Sequence, residues 1–582
     1  MKTFTEAKYH GNDLMKSESR LHSMQRSMDE MIQMEWKGKP TGKGTENVKF
    51  TTSPDARNEF LGAVRLLTAV DPIIKVPYDV NNAVAKAEAD NIERICKAVW
   101  YHSGRNLQKP VHYELVNSLL RYGVFHLAIV DTEDLYIEAE KNNKMLSKAA
   151  KFRYKRLSES TPFLFQPLDP KCGAAEFDSL GLCAYYRETK MTASEIRSIF
   201  GDLPQIQNYS PSDFITYKDY WDLDVHFAWI DDIPEPIIGL EDNGVHNLPR
   251  IPIVVQGAEG SLISPEAEYK YQPLLYGLWK GELWDRMNLE LTALFTNLYN
   301  VAANAMFVHE RGIEDSAITV DFDNVGGIVH LQPGDKLYPL QRDVFNKDAL
   351  VGMDILDRLT QESTLYKQVF GREVPERTAF STVALLSQSG RLPLVAAQRA
   401  GGWGIGTAFE TMFSLIKDKQ KIRTALINSR KINIDPAALP DHHLIDVTLD
   451  AALPQDKLQQ ANVAGMLNQS GLASNSWIRE NILNIGQSGD MDKEIIEEQF
   501  VNKMVGEYLT NQMQNEIMQN IQAQAQAQQQ AQQEQQAVPE QFNPAKGGMP
   551  PIVGKGAIPA TRPGQQPTPP SPLAQVMQQG EQ

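Results

Sequence analysis

Several stretches of the chain carry residue types that could do chemistry. Gly38 to Thr45, GKPTGKGT, sets glycines around Lys43 as a phosphate-cradling loop would, but the spacing is one residue short and Gly44 stands where a hydroxyl should hold Mg²⁺. No strand-like run leads into it, so it reads as a flexible loop. Gly401 to Gly406, GGWGIG, mimics a dinucleotide fingerprint without the preceding strand or the βαβ context, and close helix packing or a hinge accounts better for its glycines. His442 and His443 follow Asp441, yet adjacent histidines do not share a helical face and no partner motif accompanies them. Cys96, Cys172 and Cys183 are too few and too scattered for a disulfide framework or a thiolate metal site. No catalytic set, cofactor site or metal site is therefore expected.

The most regular pattern is chemically mild. Thr292, Thr296, Asn300 and Asn304 recur every fourth residue, so they share one face of a helix and form a ladder of small neutral hydrogen-bonding groups. The helix that would carry them runs from Gln272 to Ala305. Leu275, Leu278, Met287, Leu291, Leu294 and Leu298 recur at helical spacing along it, and Pro273 sits where a first turn tolerates proline. Such a rod would be roughly 50 Å long. From Leu291 to Val308 it carries no ionisable group, but its asparagines and threonines would be costly in lipid. Packing against copies of itself, or lining a polar cavity, fits better than crossing a membrane.

The remaining elements must hold that rod. A narrow apolar stripe, Leu14, Leu21, Met24, Met28 and Met31, predicts a docked helix from Asn12 to Trp36. Ser53 and Pro54 open a helix to about Val70, and DPIIKV at Asp71 to Val76 reads as a buried strand. Helices are predicted over Asn82 to His102 and Pro110 to Tyr122, with Gly123 ending the second before the strand Val124 to Val130. A charged, lysine-rich passage spans Glu138 to Arg156. Strands follow at Phe163 to Gln166, Cys183 to Arg187, Ile215 to Trp221 and Val225 to Ile230. Thr192 and Glu195 form a capping box opening a short helix to Phe200.

Beyond the rod, short β segments AITVDF, GGIVHL and DKLYPL lead to a second helix from about Lys347 to Phe370. Gly371 to Thr378, GREVPERT, breaks the pattern, and helix returns from Ala379 to about Ser429, interrupted near GGWGIG. Val447 to Ile485 reads as a strand, a turn and two helices. The run after Asp490 is helical and passes into an alanine and glutamine tract that fits helix or disorder equally. Past Val538, proline and glycine predict disorder.

At 582 residues the chain has room for several domains, and its 42% hydrophobic and 22% charged content is ordinary for soluble protein. A formal charge of −16 argues against tight binding to nucleic acid or anionic membrane. It leaves room for a polyanion that must slide past. The N-terminus has no apolar signal core, so a cytoplasm is the expected place of synthesis.

The order helix, DPIIKV, helix, YGVFHLAIV, LDP at Leu168 to Pro170, the TASE helix and LPRIPIVV at Leu248 to Val255, ahead of a long helix, resembles the first half of a tailed-bacteriophage portal protein. VTLDAALPQDKLQQANVAGMLNQSGLASNSWIRENILNI resembles that family's crown-approaching segment. The resemblance covers roughly Ser53 to Phe500 and implies an α+β, helix-rich fold with wing, long-helix stem, small β clip and helical crown. It divides the chain into an N-terminal arm (1–52), a wing (53–270), a first stem helix (271–305), a clip (306–346) and a returning stem helix (347–371). Then come a tunnel loop with wing helices (372–450), the crown (451–510), a glutamine-rich helix or disordered run (511–537) and a disordered tail (538–582).

By the same resemblance GREVPERT, with Arg372, Glu373, Glu376 and Arg377, is the place of a loop projecting towards DNA; read alone it is equally a surface turn with solvated charges. The family implies a non-enzymatic, dodecameric head-to-tail connector at one capsid vertex of the virion, assembled in the host cytoplasm. Double-stranded DNA would pass through during packaging and ejection without sequence-specific contact. Implied partners are the terminase large subunit, an adaptor or tail proteins, and the major capsid and scaffolding proteins, with no membrane. An acidic ring with a neutral ladder would hold phosphate weakly, which suits translocation. The competing classes are a structural connector or minor capsid protein without a translocation role, and an ATP-driven motor, which would need the phosphate loop that GKPTGKGT fails to be.

Overall fold

The structure is a computed structural model, and the residues it describes run from 2 to 310, 336 to 364, 391 to 471 and, in isolated helical turns, 478 to 523, with short breaks inside each stretch. Contacts divide the chain into two units, Met1–Asp492 and Lys493–Gln582. The fold is α+β and helix-rich.

The stripe expected as one helix near the N-terminus is two. Helix α1 (Phe4–Ser17) opens with a reciprocal capping box between Thr3 and Glu6, and Glu18 separates it from α2 (Ser19–Gln33). Leu21, Met24, Met28 and Met31 are buried as their spacing requires. Ser53 turns the chain into α3 (Asp55–Leu67), its hydroxyl accepting the Asp55 N–H at 3.2 Å. Strand β1 (Ile73–Lys75) is the DPIIKV strand. Helices α4 (Ala83–Leu107) and α5 (Val111–Tyr122) follow, the latter ended by Gly123 at φ 77 before β2 (Val124–Asp131). An added Cβ there would meet the Tyr271 and Gln272 backbone at 2.8 Å, so glycine is required twice over.

The charged passage is helical, as α6 (Thr132–Lys141) and α7 (Lys148–Ser160). Its high lysine and glutamate content hid a pattern that straight-chain residues readily support. Strands β3 (Phe163–Leu168) and β4 (Gly173–Asp178) come next; β4 went unpredicted because its small residues Gly173, Ala174 and Ala175 carry little strand preference. Strand β5 (Gly181–Thr192) leads through the reciprocal Thr192 and Glu195 cap into α8 (Ala193–Phe200). Strands β6 (Phe214–Asp222), β7 (His226–Ile230) and β8 (Ile253–Gly257) complete this part.

Two antiparallel sheets result, ordered β3-β2-β8 and β4-β5-β6-β7. Central β2 is buried almost throughout, with Phe125 and Leu127 fully covered. The arm covers the second sheet. Ala7 and Phe4 pack on Tyr186, Tyr220, Phe227 and Trp229, and Gly11 lies so close to the Tyr186 ring that a Cβ would come within 2.5 Å.

The rod expected over Gln272 to Ala305 is also divided. Short α9 (Tyr276–Lys280) ends at Gly281, Glu282 takes φ 53, and α10 (Leu283–Ala303) starts afresh. Gly277 lets the Ser363 carbonyl approach to within 2.9 Å of where a Cβ would lie, and the left-handed backbone at Glu282 turns the chain out of the short helix. At 1.5 Å per residue α10 is about 30 Å long rather than 50. Strands β9 (Phe307–Glu310) and β10 (Lys336–Pro339) pair antiparallel beyond it, and α11 (Lys347–Ser363) packs on α10. AITVDF and GGIVHL lie outside the described residues.

Helix α12 (Val395–Lys419) runs unbroken through GGWGIG, which corrects the expected interruption. Its glycines admit backbone: a Cβ on Gly402 would lie 2.0 Å from the Val447 carbonyl and one on Gly406 2.5 Å from that of Ile445. The helix expected to reach Ser429 instead stops at Gln420, and β11 (Arg423–Ile427) pairs with β12 (Arg430–Ile434). Thr424 and Ile427 in β11 and Ile432 and Ile434 in β12 supply the strand preference there. Strand β13 (Asp446–Thr448) pairs antiparallel with β1, joining sequence positions far apart, and α13 (Pro454–Gln469) follows. An ion cluster fixes the end of α12. Lys419 reaches Asp131 at 2.7 Å and Asp134 at 2.6 Å, Arg423 reaches Asp131 at 2.8 Å, and Glu133 meets both Lys421 and Arg423. The described residues of the second unit are turns of helix with exposed Ile496, Phe500, Met504, Ile517 and Ile521.

Candidate functional site

Thr292 and Thr296, the first rungs of the expected ladder, lie on α10, and both are occupied. An extended segment from Val48 to Ser53 runs along the helix, presenting every second backbone N–H to every fourth helical side chain. The Ser53 N–H donates to Asn288 Oδ1 at 2.7 Å, the Thr51 N–H to Thr292 Oγ1 at 3.1 Å and the Lys49 N–H to Thr296 Oγ1 at 3.1 Å. Thr292 also donates to the Thr51 carbonyl at 3.4 Å. The pairing works because two extended residues and four helical residues both advance about 6 to 7 Å. We term residues 48–53 the strap.

The strap is anchored at both ends. Upstream, the Trp36 indole N–H donates to Asp285 Oδ1 at 2.9 Å on the preceding turn of α10, and Phe50 stands edge-on to Trp36. Downstream it becomes the cap of α3, and Glu59 on that helix accepts a short hydrogen bond from the Thr364 hydroxyl just past α11. The strap and α3 thereby grip both helices of the α10 and α11 pair. Burial increases along the strap: the bond to Thr296 is exposed, Thr292 is 5% exposed, and Asn288 is fully buried. Val48, Phe50, Leu289 and Ala293 line a shallow apolar pocket of about 290 Å³ beside it.

Thr292 and Thr296 therefore share one surface with the chain's own strap. Asn300 falls within α10 but its side chain lies outside the described residues, as do Asn304 and the loop with Arg372, Glu373, Glu376 and Arg377. His442 and His443 also fall outside. Sequence reasoning missed Asn288, although it stands four residues before Thr292 and continues the same spacing. It could not have found the strap, whose contribution is main-chain N–H and carries no side-chain signature.

The helix pair also presents apolar side chains to solvent: Phe295 on α10, and on α11 a row of Val351, Ile355 and Leu359, each one turn apart. Among the described residues no group of three or more His, Cys, Asp or Glu is placed to hold a metal, and no helix is long and apolar enough to cross a membrane. What the site can do is hold an extended main chain and offer a flanking apolar row.

No protein-family model matches the chain, and no curated protein does. Among solved structures it is similar to a chain in the neck of an empty GTA particle computed with C6 symmetry, at 11% identity and TM-score 0.39 over 76% of this chain and 95% of that one. It is also similar to a chain in the neck of a native GTA particle computed with C12 symmetry, at 10% identity and TM-score 0.36 over 75% and 91%. At these values neither assigns a role to any residue.

Proposed function

We propose that the chain is a portal subunit: a homo-oligomeric ring, dodecameric by family resemblance, forms a channel at one capsid vertex through which a terminase drives double-stranded DNA and to which an adaptor or tail attaches. The observation that carries this reading is the order α10, β9 with β10, and α11 packed back on α10, in a unit whose returning helix exposes the apolar row Val351, Ile355 and Leu359. Side chains such as Val351 and Ile355 are over half exposed, and rows of that kind call for a partner surface. Copies of one chain arranged head to tail around a closed ring supply it.

In this reading residues 53–270 are wing, the α10 and α11 pair stem, 306–346 clip and 451–510 crown. The strap stands between Thr292 and whatever passes, so the DNA path is proposed to lie beyond it, towards Asn300, Asn304 and the loop holding Arg372, Glu373, Glu376 and Arg377. The formal charge of −16 per subunit keeps such a path repulsive to phosphate. Mass photometry and negative-stain microscopy of the full chain at micromolar concentration, without nucleotide, should show closed rings. Monomer alone across several salt concentrations refutes the proposal.

A further inference from the structure

The joint between α1 and α2 buries a carboxyl group where none is needed for helix capping. Glu18 ends α1 and precedes α2, makes no side-chain cap bond, and is 4% exposed. The groups facing it come from every element packed there. His22 on α2 lies 4.0 Å away and is committed to the Gly173 carbonyl at 3.0 Å; the Ala175 N–H of β4 donates to the carboxyl; α1 packs on β4 and α2 on the turn Ala267–Tyr269, and the charged and titratable groups acting on the site from those elements are Lys270, Tyr271 and Tyr185. His126 lies behind, bonded to the Tyr185 hydroxyl at 3.1 Å. A carboxylate so buried loses most of its hydration, and the attraction of the Lys270 charge is too small to offset that loss.

We propose that this joint is a proton-operated latch: the N-terminal helices stay docked on the β4-β5-β6-β7 sheet while Glu18 carries its proton, and docking loosens as the carboxyl ionises. Loosening would bare the aromatic face of Tyr186, Tyr220 and Trp229 that α1 covers. Burial pushes the docked Glu18 carboxyl up from 4.5 to about 7. The docked form thus binds the proton more tightly, so docking is strongest below pH 4.5, weakens as pH rises towards 7, and is level above. His22 works the other way. Its imidazole is held below its ordinary 6.5 by burial, so its contribution is complete above that pH and fades as pH falls. Between about 4.5 and 6.5 the two slopes oppose, and each masks the other.

The test separates them by substitution. Backbone hydrogen exchange of residues 4–17 in the full chain, corrected for intrinsic rates, is compared between the wild type and Glu18→Gln from pH 4.5 to 8. The ratio of protection, variant over wild type, should grow from about twofold at pH 4.5 to at most about 300-fold at pH 8. Growth of tenfold or more between pH 5 and pH 8 supports the latch. A smaller growth, or a ratio that stays constant with pH as a merely structural effect would give, overturns it. His126, held to about 3 chiefly by burial, opposes Glu18 in the same sense as His22. Should Glu18→Gln fail to fold, the double variant His22→Gln, His126→Gln decides: with both opposing slopes removed, protection of α1 must fall steadily from pH 4.5 to 7, and a flat profile refutes the proposal.

Discussion

Gly402→Ala tests how α12 is seated. The Gly402 position faces main chain rather than a side chain that could turn away: an added Cβ would lie 2.0 Å from the Val447 carbonyl oxygen. Ordinary contact begins near 3.4 Å, so β13 must retreat by about 1.4 Å, and it is tied to β1 by the Ile74 to Val447 pairing. Overpacking of this kind costs about 1 to 3 kcal/mol or somewhat more, against which alanine returns up to about 1 kcal/mol of helix preference. A net loss of about 1 to 2 kcal/mol is expected.

The comparison that isolates the packing is Gly352→Ala on α11, where nothing lies within 4 Å of the new Cβ. That change should stabilise α11 locally by up to about 1 kcal/mol. Urea unfolding followed by circular dichroism, with hydrogen exchange at β1 and β13 to locate the effect, reads both. If Gly402→Ala proves as stable as wild type with unchanged protection at Val447, the close approach of helix to strand is wrong.

Two further outcomes follow from named contacts. Thr292→Val removes the acceptor of the Thr51 N–H in a part-buried setting and should cost about 1 to 2 kcal/mol, seen as faster exchange at Thr51, whereas Thr292→Ser should restore most of it. Asp131→Asn takes the shared carboxylate from Lys419 and Arg423, leaving Arg423, 7% exposed, with Glu133 alone. A loss of about 2 to 4 kcal/mol is expected in the same urea assay, with increased exchange in β11 and β12; no change would show that water already satisfies the cluster.

Much of the fold was legible because local chemistry and tertiary packing agree in it. The capping box at Thr192 and Glu195, the stop at Gly123, and the strand after it were readable from a few residues each, and the structure forms them for the stated reasons. Where the reading failed, one principle outweighed another. Leucine spacing from Leu275 to Leu298 argued for one rod, and periodicity does not register that Gly277 must admit the Ser363 carbonyl. Glycines in GGWGIG argued for a break, yet within α12 they are what lets it lie against β13. At the candidate site the rungs were legible as hydroxyl and amide side chains at helical spacing. Their occupant was not, since it binds through peptide groups that every sequence possesses.

The strap also behaves as a vernier. Two extended residues advance about 6.6 Å while four helical residues advance about 6.0 Å and turn by about 40° beyond a full circle. Each successive bond therefore starts about 0.6 Å out of step and displaced around the cylinder. Over the span from Asn288 to Thr296 that error reaches about 1.2 Å, within what hydrogen bonds of 2.7 to 3.1 Å absorb by bending. A straight strap of twice the length could not keep its bonds, so a fastening of this design is short by construction, and extending it requires the strand to wind around the helix as it goes.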